Sequence, residues 1–110
     1  MTSVTLYRAA DGRLSGFECR GHAGYAQAGS DIVCAAVSAS TELVITILEQ
    51  FGLDLRLDIH EENACVRCEL ADISGEKAQS AKHVLDGYSS YLTAVSQEYP
   101  HNLKCRMISE

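Results

Sequence analysis

Hydrophobic and polar positions along this chain alternate with period two in some stretches and follow a three-four spacing in others. The two periods mark strands and helices. Residues 3–8 alternate as a strand, and Asp11-Gly12 is a turn dipeptide. Residues 14–21 form a second strand, with Phe17 and Cys19 on one face and Glu18 and Arg20 on the other. The pair is expected to close as a hairpin. Leu53, Leu55, Leu57 and Ile59 alternate with Asp54, Arg56, Asp58 and His60, which is the clearest strand pattern in the chain. Glu61-Glu62-Asn63 is the turn, and residues 64–71 return as the next strand. Such alternation predicts one packed face and one solvated face, as antiparallel sheets allow. Leu103, Cys105 and Met107 alternate in a last short strand.

Two segments have the helical spacing. The first is expected to begin near Ile32, capped by Ser30 or Asp31, and to stop at Gly52. Its apolar face is Val37, Ser40, Leu43, Val44, Ile47, Leu48 and Phe51, and its polar stripe is Ser38, Glu42 and Glu49. The second covers residues 75–99, with Ala78, Ala81, Leu85, Tyr88, Leu92, Val95 and Tyr99 on one face and Pro100 as the stop. The element order is therefore ββαββαβ. Two amphipathic helices need an apolar sheet face to cover. The expected fold is α+β, with two helices packed on one face of a mostly antiparallel sheet. At 110 residues, a single domain over 1–110 is expected.

Composition narrows the function classes. No stretch is Gly- or Ser-rich, and proline occurs once, so no linker is expected. The first residues are too polar for a signal peptide. The longest apolar stretch, residues 32–48, is interrupted by Ser38, Ser40, Thr41, Glu42 and Thr46, so it reads as a core helix rather than a membrane span. Cytoplasmic location follows as an expectation, with the five cysteines kept as thiols. A formal charge of -6 argues against nucleic acid and suits a basic polypeptide partner.

Candidate chemistry gathers in residues 21–38. Gly21, Gly24 and Gly29 surround His22 in a stretch with no clean period, expected to be a flexible loop. Cys34 follows in what should be the first helical turn. Unpaired N–H groups and the helix dipole there would favour a thiolate and an oxyanion. His22, one loop away, would be the base and later the acid for the leaving amine. Small side chains at Ala35 and Ala36 leave room for a substrate backbone. Cysteine is also a common small core residue, so the residues alone leave both readings open.

The two-part pattern Gly21-His22, a short loop, then Asp31-Ile32-Val33-Cys34-Ala35 and Ser38 resembles the bacterial ribosomal-processing cysteine protease family, Prp. The resemblance implies a cytoplasmic homodimeric endopeptidase. It would remove a short N-terminal extension from large-subunit ribosomal protein number twenty-seven, acting on a basic segment. It also implies a catalytic dyad of His22 and Cys34, with Asp31 in a capping and loop-ordering role and Ser38 supporting the pocket floor. Ala36 stands where the family often has glycine, which would narrow the pocket.

Other groupings carry less. Cys65 and Cys68 have a redox or zinc spacing, but residues three apart on a strand face opposite ways, and no second pair flanks them. His60, His83 and His101 have no partner at ligand spacing, so no metal and no cofactor is expected. Glu42 and Glu49 read as a solvated helix face. The aromatics lack interleaved cations for stacking nucleic acid, although Tyr88, Tyr91, Tyr99 and Leu92 offer contacts for a dimer. The alternative functions are a non-catalytic ribosome-associated binding or assembly module and, less directly supported, a thiol switch at Cys34 or Cys19.

Overall fold

The computed structural model describes residues 1–21 and 28–110, and of residues 28–31 and 63 it describes the backbone only. The elements are β1 (Thr2–Arg8), β2 (Leu14–Arg20), α1 (Ala28–Gln50), β3 (Leu55–His60), β4 (Cys65–Leu70), α2 (Glu76–Glu98) and β5 (Leu103–Ser109), with a single 3-10 turn at Glu61–Asn63. The strands form one sheet in the order β3-β4-β2-β1-β5. Only β1 and β5 run parallel, and the other neighbours are antiparallel. The architecture is α+β, as the periodicity predicts.

Register explains why one face is apolar. Val4 pairs with Cys19, and Cys19 with Val66. Leu6 pairs with Phe17, and Phe17 with Cys68. Each row therefore carries apolar side chains on one face across three strands. Onto that face pack Val33, Val37, Val44 and Leu48 of α1, and Ala81, Leu85, Tyr88 and Leu92 of α2. Phe17 and Tyr88 are tilted rings with centroids 4.6 Å apart. The opposite face carries Glu18, Arg67 and Glu69, with the Arg67 guanidinium over the Tyr7 ring. From residue 32 to 50, α1 is long and apolar enough to cross a membrane. In this fold its buried stripe instead packs into the core.

The structure corrects several sequence expectations. Helix α1 starts at Ala28, about one turn earlier than the capping residues suggest. Leu43 and Phe51 are exposed, because the buried stripe runs through Val33, Val37, Thr41, Val44 and Leu48. Tyr88 and Leu92 are core residues, although Tyr88 also lines the groove between the helices. Leu57 and Ile59 of β3 are 42% and 58% exposed despite the alternation. The reason is coverage. Helix α2 sits toward β2 and β5, away from the β3 edge. On that edge strand Leu55 still packs against the core, while Leu57 and Ile59 are left exposed.

Cys65 and Cys68 are both buried, but only Cys68 lies on the helix-covered face, beside Phe17 and Leu57 in register. Burial first, and then the negative charge of Glu49, pushes the Cys68 thiol from 9.0 up to about 12. Burial raises the Cys19 thiol as well. Both raised values mean that the unfolded chain loses protons before the folded one, so this stability is complete below pH 9 and lost above it. Urea midpoints should fall between about pH 9 and pH 12, at a limit of about 1.4 kcal/mol per pH unit per thiol. Cys68→Ala should flatten that slope, and an unchanged slope would show that Cys68 does not carry it.

Candidate functional site

The first turn of a helix exposes unpaired N–H groups, and the dipole effect fades within that turn. With α1 beginning at Ala28, Cys34 is the seventh residue and sits in the second turn. Ser30 and Asp31 lie within the helix backbone, so neither is the capping residue that the sequence suggests. Gly29 is helical at the backbone and not part of a loop. The helix terminus therefore acts less strongly on the Cys34 thiol than it would on a first-turn position. His22 and Gly24 lie outside the described residues.

Cys34 is half-buried at the wall of a cavity of about 260 Å³. Thr2, Gly21, Val37, Ser38, Glu42, Ala64 and Val66 share that wall. Cys34 Sγ is 3.7 Å from Thr2 Oγ1, within a sulfur hydrogen bond in which either group donates. Ser38 lines the same cavity one helical turn further on, but it is exposed. The floor comes instead from buried Cys19 and Thr41.

That floor is held by a buried polar triangle. Cys19 Sγ lies 3.4 Å from Thr41 Oγ1 and 3.0 Å from Tyr88 Oη, and Thr41 Oγ1 lies 2.8 Å from Tyr88 Oη. Buried hydroxyls and thiols need such partners. Burial raises the pKa of both Cys19 and Tyr88, so both stay neutral. A buried, protonated thiol is a poor redox sensor, which weakens the switch reading for Cys19.

Gly21 is a fixed point rather than a loose one. Its φ is +97°, a conformation that favours glycine. Its N–H donates to the Ala64 carbonyl at 3.2 Å. A Cβ built there would meet the Met1 carbonyl oxygen at 2.6 Å. The ends of β1, β2 and β4 thus converge on the cavity that holds Cys34. Thr2, Ala64 and Val66 escape a reading of the sequence because only strand pairing brings them there. Cys19 and Thr41 show the apolar or helical spacing of core positions, which gives no hint of a pocket floor.

A family model described as cysteine protease Prp matches residues 1–104. The ribosomal processing cysteine protease Prp of Bacillus subtilis (strain 168) is 30% identical over 106 residues, covering 94% of this chain and 95% of that protein. Among solved structures, the essential ribosomal processing protease Prp from S. aureus, in complex with a substrate peptide, aligns with a TM-score of 0.87. That alignment has 18% identity and covers 98% of this chain and 100% of that one. SMU.848 from Streptococcus mutans aligns with a TM-score of 0.83 and 24% identity, covering 100% of this chain and 96% of that one. These two structural likenesses concern the fold.

Gly21→Ala should destabilise the protein by about 1–3 kcal/mol, from strain at positive φ and the clash with Met1. The check is the urea unfolding midpoint. A midpoint equal to wild type would mean that the β2 terminus is not held as described.

Proposed function

This chain belongs to the cysteine protease Prp family, and on that premise we propose that it is an endopeptidase acting through Cys34 and His22. Cys34 Sγ attacks the carbonyl carbon of the scissile peptide bond, while His22 takes the thiol proton. The tetrahedral intermediate collapses to a thioester as His22 returns that proton to the departing amine. Water, deprotonated by His22, then hydrolyses the thioester and regenerates the thiol. The observation that carries this reading is the half-buried Cys34 thiol on the wall of a cavity that Gly21, the residue before His22 in sequence, also lines. With Cys34 in the second helical turn, a histidine base is the activating group that the chemistry requires. Asp31 is carried over from the family resemblance as a supporting residue, and Ser38 shapes the cavity wall beside Cys34.

The substrate is the basic N-terminal extension of large-subunit ribosomal protein number twenty-seven, cut in the cytoplasm. The name of the Bacillus subtilis relative supports a ribosomal substrate in general, and the formal charge of -6 suits a basic segment. The particular protein and its extension rest on the resemblance of the motif over residues 21–38. The working unit is a homodimer. Exposed Leu43 and Tyr91 flank an apolar groove between α1 and α2, lined also by Ala36, Ala39 and Gly87, and a second copy would cover them.

A peptide spanning the extension and the mature start should be cut by wild type. Cys34→Ala should abolish cleavage, and His22→Ala should lower kcat/KM about 10²- to 10⁴-fold. Cleavage surviving in Cys34→Ala would sink the mechanism. Peptide binding without any cleavage by wild type would favour the binding-module reading. In sedimentation, wild type should run as a dimer and Leu43→Glu as a monomer. A monomeric wild type would dispose of the dimer.

A further inference from the structure

The edge strand β3 adjoins the cavity through β4. Val66 lines the cavity beside Cys34, and its register partner on β3 is Ile59. Two residues back along β3, Leu57 points to the same face, so the two side chains stand about 7 Å apart. Both are among the exposed large apolar residues, and β3 lies at the sheet edge. Above this strip runs one face of α1. Glu42 lines the cavity, and Glu49 lies two turns further along, about 10 Å away. Glu49 is close enough to act electrostatically on Cys68, the register partner of Leu57. The result is a shelf that leads away from Cys34, with an apolar floor and an acidic wall.

We infer that this shelf is an extended arm of the substrate site, holding a polypeptide whose alternate apolar side chains rest on Ile59 and Leu57 and whose Lys or Arg side chains face Glu42 and Glu49. The inference rests on the peptidase reading of the cavity and adds the specificity surface beside it. Spacing supports the occupant. Alternate side chains of an extended peptide repeat at about 7 Å, the Ile59–Leu57 interval. Charge supports it too, because the wall is acidic and the whole chain is negative. Adjacency supports it as well, because Ile59 is the register neighbour of the cavity-lining Val66.

The test uses the full-length Cys34→Ala protein, so that binding is read without cleavage. The probe is a dye-labelled peptide of about a dozen residues that alternates Leu with Lys and Ser, followed by fluorescence anisotropy. Ile59→Ser and Leu57→Ser should each raise Kd about 5- to 10-fold. Glu49→Gln should raise Kd about 2- to 3-fold at low salt and flatten the salt dependence. Ile108→Ser, also exposed but on β5 at the far edge of the sheet, should leave Kd unchanged. Equal affinity in wild type and Ile59→Ser would overturn the inference. So would an Ile59→Ser protein that binds peptide normally but loses self-association, because the strip would then be a contact between copies. If binding follows Ile59 and no peptide is ever cut, the peptidase reading fails and the shelf stands. Normal cleavage with binding indifferent to Ile59 and Leu57 gives the reverse.

Discussion

Tyr88 reaches from α2 to Thr41 on α1 and Cys19 on β2, and the three groups share hydrogen bonds with almost no access to water. Buried polar atoms are costly to leave unmatched, so this junction tolerates little sliding of one element over another. Around it Phe17, Leu85 and Leu92 are closely packed. Once α1 is fixed by Thr41, Cys34 lies two turns back on the same helix, against Thr2 of β1. The position of the candidate nucleophile thus follows from a contact made far from it in sequence.

The same packing explains what the sheet leaves open. Helix α2 packs toward β2 and β5. Leu55 of β3 still packs against the core, but Leu57 and Ile59 on the same face are exposed beside the cavity-lining Val66. A site that must admit a polypeptide needs such an uncovered approach, and an enclosed pocket would accept only a side chain. In the proposed reading, that uneven coverage is what gives a polypeptide its approach.

Helix α1 also shows how a small shift in one element changes a chemical argument. A start near Ile32 would give Cys34 the helix terminus as its activating field. A start at Ala28 moves the thiol beyond the reach of those first N–H groups. That is why the proposed mechanism gives the activating role to a base, His22, rather than to the helix terminus.

Sequence alone determined the order of elements, because periods of two and of three to four survive in the chain whatever it packs against. It also determined the segment in which to look, since Gly21, His22, Asp31, Cys34 and Ser38 stand close together along the chain. Strand pairing decided the rest. It brought Thr2, Ala64 and Val66 together with Cys19 beside Cys34, while the packing of α1 on the sheet placed Thr41 beneath them. It also left Leu57 and Ile59 exposed, although their alternation matches that of a packed strand. Alternation states which residues share a face, but whether a helix covers that face is set by where the helices fit across the sheet.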